Sequence, residues 1–180
     1  MEFGGYNWLV LEVNQDKVLL LTEIAIENSN NIFTDASWSD SKIRNYLNGA
    51  FLEKFSEDDR KRILDTNVIN NNNPWCDTDG GDATTDKIFL LSLEEVVLYF
   101  GDSGQLKNLH KDAYRINDKY NTSRIAYNKA GEASSWWLRS PGSMYYYATY
   151  VDGNGEINVS GEKVYDPYIC IRPALWLKLQ

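Results

Sequence analysis

Apolar residues fall into short runs at both ends of the chain and into spaced positions in the middle. Trp8 to Val13 and Lys17 to Thr22 flank the turn-forming Asn14-Gln15-Asp16, which is the pattern of a β-hairpin. A polar stretch, Glu27 to Asp35, reads as loop. Ser39 or Ser41 can then cap a helix whose Ile43 and Leu47, with Tyr46, form an i, i+4 face. Asn48-Gly49 is expected to end it, before a short turn with Phe51, Leu52 and Phe55. Ser56 followed by Asp59 resembles a capping box with Asp in place of Glu or Gln, so another short helix is expected there.

The stretch Asn67 to Thr85 reads as loop throughout. Lys87 to Leu91 returns to strand. Ser92 and Glu95 then form a capping box for a helix running to about Phe100, closed by Gly101. Asp102 to Ala133 is polar and suggests a further helix with loop. Strands are expected again at Trp136 to Ser140, Met144 to Val151, Ile157 to Ser160 and Ile169 to Leu179, with a turn at Gly153-Asn154-Gly155. Helices in the middle and strands at both ends imply one α+β domain over 1–180. Its terminal strands should meet in one mixed or antiparallel sheet, with short helices packed around it.

Composition changes this picture in two places. The chain carries 6 Trp, 12 Tyr and 6 Phe, a load that serves either a wide core or a recognition surface. Its formal charge of −8 repels phosphate backbones and argues against nucleic acid as a partner. The basic cluster Arg60-Lys61-Arg62 follows Glu57-Asp58-Asp59 and reads as a solvated helix face. No stretch approaches the about 18 apolar residues of a membrane span. The start, Met1-Glu2-Phe3-Gly4-Gly5, lacks signal-peptide character, so a cytoplasmic protein or a trimmed domain of a secreted one is expected.

Four ordered motifs carry a resemblance. These are Trp38-Ser39-x-Ser41-x-x-Arg44-x-x-Leu47-Asn48, Asp86-Lys87-Ile88-Phe89-Leu90-Leu91-Ser92-x-x-Glu95, Trp136-Trp137-Leu138-Arg139-Ser140-Pro141-Gly142, and Arg172-Pro173-Ala174-Leu175-Trp176. Together with Trp8-x-Val10-Leu11 and Leu19-Leu20-Leu21, they make the chain resemble a bacterial domain family of unknown function defined by W-W-L-R-S-P-G and R-P-A-L signatures. More distantly it resembles the C-type-lectin-like fold, shared with formylglycine-generating enzymes, in which first and last strands pair. That likeness rests on a late W-x-x-R segment and the pair Ile171-Arg172. It implies a binding module of a bacterial or phage-type protein. The cysteine pair that formylglycine-generating enzymes use has no counterpart beside Cys170, and the lectin metal motifs E-P-N and W-N-D are absent.

The candidate sites follow. In a strand, Trp136 and Leu138 share one face while Trp137 and Arg139 share the other. A buried Arg needs acceptors, and Asp86 and Glu95 are the candidate partners of Arg139 or Arg172 in a network that holds the fold. Trp137 is also a candidate stacking surface. In Met144 to Tyr150, alternation puts Tyr145 and Tyr147 on one face and Tyr146 and Tyr150 on the other. Tyrosine on both faces suggests a ligand surface, for protein or glycan, within residues 103–165. Asp77, Asp79 and Asp82 offer hard oxygens suited to Ca²⁺, without the EF-hand pattern; a solvated loop is the preferred reading and no cofactor is required. Cys76 and Cys170 are expected as thiols, Cys170 buried. His110 has no Ser or Cys motif to pair with, so no catalytic residue is assigned. An enzyme using a carboxylate or Cys170, or a purely structural module, remain the alternatives. Oligomeric state is not legible.

Overall fold

Leu19-Leu20-Leu21 and Leu175 to Leu177 meet side by side in the computed structural model, which describes residues 1–28, 37–108 and 114–179. In chain order the first elements are β1 (Glu2–Phe3), β2 (Tyr6–Val13), β3 (Lys17–Thr22) and β4 (Glu27–Asn28). Helix α1 (Lys42–Tyr46) and α2 (Glu57–Arg62) precede β5 (Thr66–Val68), β6 (Thr84–Asp86), β7 (Ile88–Phe89) and α3 (Leu93–Phe100). Then come α4 (Gln105–Asn108), β8 (Arg115–Ile116), α5 (Asn121–Arg124), β9 (Ala126–Tyr127) and β10 (Ala133–Ser134). The chain closes with β11 (Trp136–Pro141), β12 (Tyr147–Val151), β13 (Ile157–Lys163), β14 (Cys170–Ile171) and β15 (Ala174–Lys178).

Two main sheets result. One has the order β1-β2-β3-β15-β7 with every pair antiparallel. The other has the order β4-β14-β11-β12-β13-β8, antiparallel except for β11 beside β14. The architecture is α+β with one antiparallel and one mixed main sheet, and β15 pairs along its whole length with β3. Leu20, Leu21, Leu175 and Leu177 are fully buried at this seam. Four of the six tryptophans, Trp8, Trp38, Trp136 and Trp137, are also fully buried, so most of the indole load is scaffold.

Several expected elements differ in extent. The run expected as one strand from Ile169 to Leu179 is two strands in different sheets. Proline lacks the N–H that a continuous ladder needs, and Pro173 stands at the crossing. Helix α1, capped by Ser41, does not end at Asn48-Gly49; it widens through Leu47–Phe51 and tightens through Leu52–Lys54, with the irregular residue at Gly49. The Asn48 side chain holds that kink by donating to Arg44 O and Ile88 O and accepting from Lys87 N. Helix α3 has both halves of the capping box and ends at Gly101 with φ 88°.

The stretch expected as loop from Asn67 to Thr85 is an irregular arm over 69–83, closed at its base by the three-residue strands β5 and β6. The arm is fastened by Asn73, only 1% exposed, whose Nδ2 donates to Pro141 O and Val159 O at 2.8 Å each. The Asn73 Oδ1 accepts from Trp75 N and Cys76 N, so every polar valence of this amide is used inside the fold. At the other end, the expected loop from Glu27 begins with β4; its remainder, Ser29 to Asp35, lies outside the described residues.

Candidate functional site

The W-W-L-R-S-P-G segment is β11, a strand buried along its whole length between β14 and β12. Trp136 donates its indole N–H to Arg124 O, and Trp137 sits edge-on against Tyr150 at 5.9 Å. Both are fully buried. Trp137 is therefore not a stacking surface for a ligand, because neighbouring strands and layers cover both faces of β11.

Arg139, 5% exposed, is gripped by the start of α3. Its Nη2 donates to Glu95 Oε1 at 2.9 Å, its Nη1 to Glu95 Oε2, and Nη1 also reaches Leu90 O at 2.7 Å. Glu95 thus does two jobs, since the same Oε2 accepts from Ser92 N in the capping box. Asp86 does not join this network. It accepts instead from Arg44 Nε (2.7 Å), Trp38 Nε1 (2.8 Å) and Thr84 Oγ1 (2.6 Å), tying the two earlier motifs together. Arg172 meets neither acid. Its Nε donates to Thr22 O, its Nη2 to Glu23 O, and its guanidinium lies 5.0 Å above the Trp136 ring. Thr22 N donates to Pro173 O, and Pro173 has no N–H to return to Thr22 O, which leaves that carbonyl to Arg172. Burial pulls this guanidinium down to about 10, with the charge of Glu23 opposing.

The tyrosine run is split between a turn and a strand. Ser143 to Tyr146 form a turn closed by Tyr147 N donating to Met144 O, and only from Tyr147 does β12 begin. The expected alternation across Tyr145 to Tyr150 is therefore broken. Tyr145, Tyr146 and Tyr147 stack edge-to-face in sequence, with ring centres 4.8 and 4.9 Å apart. Tyr145 is 81% exposed, Tyr146 and Tyr147 partly so. Tyr150, by contrast, packs on Trp137, and its hydroxyl accepts from Asn158. It belongs to the scaffold.

Gly142 explains why the turn sits there. A Cβ on Gly142 would lie 2.4 Å from Ser160 O and 2.7 Å from Tyr147 Cβ, so the signature glycine allows the tyrosine turn to fold onto β13. Ser143 N donates to Ser160 O, and Ser160 N in turn to Tyr114 O. These contacts bring together a pocket of about 500 Å³ lined by Trp75, Cys76, Tyr114, Ser143 and Ser160. Trp75 is held in it by its indole N–H on Leu106 O and by the Asn73 anchor. The sequence reading missed Trp75, Tyr114, Tyr165 and Tyr168. Tyr165 and Tyr168 are 58% and 83% exposed on the connection that leaves β13 where Val164 N bonds Tyr146 O. The turn chemistry of Tyr165-Asp166-Pro167-Tyr168 was the available signal.

The remaining candidates are dispersed. Among the described residues, no three acidic, His or Cys side chains converge as a metal site, Asp77, Asp79 and Asp82 included. Asp79 accepts from Gly81 N, which shapes its own turn. Cys76 and Cys170 are thiols not joined to each other, and burial pushes both up. His110 lies outside the described residues. No helix among the described residues is long and apolar enough to cross a membrane.

Compared with known proteins, residues 15–179 match the family model described as a domain of unknown function (DUF6273). The chain belongs to that family. No curated protein and no solved structure matches it significantly.

Proposed function

We propose that the domain is a non-catalytic recognition module that binds a glycan through the tyrosine turn and the pocket beside it. The observation that carries this reading is the exposed edge-to-face array Tyr145-Tyr146-Tyr147 beside a pocket walled by Trp75 and Tyr114 and floored by two serines. Aromatic side chains give a sugar's apolar face contact area at low entropic cost, while Ser143 and Ser160 are hydroxyl-bearing partners for its polar edge. The size, about 500 Å³, is that of a small-molecule or single-residue subsite.

The meeting of N- and C-terminal strands in one sheet supports a C-type-lectin-like reading of the fold, and with it a place in a bacterial or phage-type protein, although β15 pairs with β3 and not with the first strand. An enzyme that uses Cys170 is less well supported. That thiol is 5% exposed and held protonated by burial, whereas a nucleophilic cysteine needs an accessible thiolate.

The test is a glycan array probed with the purified chain, with Tyr114→Ala and the double variant Tyr145→Ala/Tyr147→Ala alongside. Saturable binding by the native chain and its loss in both variants, at unchanged unfolding midpoints, is the expected result. Absence of any glycan signal, or variants that bind as well as the native chain, overturns the reading.

A further inference from the structure

One side of the pocket at the tyrosine turn has a fixed hydrogen-bond polarity, and Asn158, buried on β13, sets it. The Gly161 N–H donates to Asn158 Oδ1 at 3.0 Å, and Asn158 Nδ2 donates to the Tyr150 hydroxyl at 3.0 Å. A backbone N–H can face only an acceptor, so this amide cannot be turned the other way. Gly161 is held in place as well: at φ 78° it lies against Ala148, where a Cβ would stand 2.4 Å from the carbonyl oxygen. Ser160 Oγ is 2.9 Å from the same Asn158 Oδ1, an atom that carries no proton, so the serine hydroxyl is the donor. Its one proton is thereby spent. What the Ser160 side chain has left for the pocket it lines is lone pairs.

The other lining residues, Trp75, Cys76, Tyr114 and Ser143, bring no charge. Arg115, next in the chain to Tyr114, is engaged elsewhere, with Glu156 at 3.5 Å and Asp152 at 3.9 Å. Tyr114 itself has φ 52°, a left-handed conformation that a bulky side chain rarely takes. Its carbonyl is clamped by Val159 N and Ser160 N, both donating to it. Such a conformation persists only where the surroundings impose it, and here it fixes an aromatic wall before any ligand arrives.

A group that meets Ser160 must therefore bring a proton. A sugar hydroxyl can; a carboxylate at neutral pH cannot, because it carries acceptors only. An acidic sugar would also lose hydration among lining side chains that hold no cation, on a chain of formal charge −8. We infer that the pocket is a subsite for an uncharged sugar residue, with Ser160 as the specificity-determining residue that accepts a ligand hydroxyl and turns acidic sugars away. This inference rests on the glycan reading of the same site and narrows it to one substrate class. Rejection works by mismatched acceptors and uncompensated charge rather than by size, since a hexose and its hexuronic acid differ little in volume.

The experiment titrates the ¹⁵N-labelled full chain at neutral pH with matched pairs, methyl hexosides against methyl hexuronides of the galacto, gluco and manno series. The hexoside of at least one series should saturate, with its hexuronide weaker by about tenfold or more, because an unpaired buried acceptor and an unpaired charge oppose the acid. Ser160→Ala should weaken the hexoside and narrow that ratio, whereas Tyr145→Ala/Tyr147→Ala should weaken both members alike and leave it unchanged. The ratio compares two ligands on one sample, so it is independent of how much of a variant is folded. Hexuronides that bind as tightly as their hexosides, or a ratio that Ser160→Ala does not move, overturn the inference and leave the glycan site standing. If no member of any pair binds, the inference falls, and the glycan reading falls with it only when the array is silent too.

Discussion

Replacing Asp86 with Ala is the sharpest test of how the sequence motifs hold the fold. Its carboxylate side chain is fully buried and accepts from Arg44, Trp38 and Thr84 at 2.7, 2.8 and 2.6 Å. Three hydrogen bonds to a charged acceptor, at about 1.5–3 kcal/mol each, set an upper figure of roughly 4.5–9 kcal/mol. The real loss is smaller, because the Arg44 side chain is 25% exposed and recovers water when its partner goes. The Trp38 indole, in a residue 1% exposed, recovers nothing. Removing one partner of a buried pair costs about 3–5 kcal/mol, and that is the expected loss. For a chain of this size it corresponds to a fall in melting temperature of roughly 6–20 °C. Urea unfolding of Asp86→Ala, Asp86→Asn and Asp58→Ala measures it. The Asn variant should rescue little, because its NH₂ group turns a donor towards donors. Asp58, 93% exposed and paired with Lys61, should cost no more than about 0.5 kcal/mol. If Asp86→Ala loses no more than Asp58→Ala, or if Asn restores full stability, the carboxylate is not the hub described.

Three further outcomes follow from the same geometry. Gly142→Ala forces Ser160 O or Tyr147 aside from contacts of 2.4 and 2.7 Å, so it should cost about 1–3 kcal/mol and weaken glycan binding; unfolding and array data together check both. Asn73→Ala strands the buried carbonyls of Pro141 and Val159 at about 1–3 kcal/mol each, and limited proteolysis should then cut within 69–83 faster than in the native chain. The pH dependence follows from the groups that burial holds protonated. Cys76 and Cys170 stand above their ordinary 9.0, and Tyr99 is raised from 10.0 by burial and by Glu12. The unfolded chain sheds these protons first, so stability is fully present below pH 9 and falls as pH rises above it. A urea midpoint that is flat or rising from pH 8.5 to 10 would contradict this.

Local patterns were legible where local physics decides them. The Ser92/Glu95 capping box, the hairpin around Asn14-Gln15-Asp16 and the Gly101 stop need only neighbours in sequence, and each is present. Arg139 could be read as needing an acid, and Glu95 supplies it. Which of two acids went to which arginine was not legible, because Asp86 faces Trp38 and Arg44 only after β6 has paired with β5. The same is true of Asn73, whose four bonds come from three different segments. The strand break at Pro173 was hidden by an unbroken apolar run on either side. The tyrosine turn was hidden by the high strand propensity of tyrosine itself, which says nothing about where a strand starts.

The chain divides its aromatics by chemistry. Three of the buried tryptophans donate to fixed acceptors: Trp8 to Phe3 O, Trp38 to Asp86 and Trp136 to Arg124 O. Once satisfied, they rigidify the fold and leave nothing to offer a ligand. The aromatics most exposed at the tyrosine end are tyrosines, Tyr145, Tyr165 and Tyr168. The W-W-L-R-S-P-G strand joins the two sets. Its tryptophans and arginine are spent on the core, Ser140 receives the Leu93 N–H at the start of α3, and its glycine opens the space into which the tyrosine turn folds. The segment that marks the family therefore shapes the space beside the tyrosine turn without supplying the exposed rings there. At the tyrosine turn it contributes only an absent side chain.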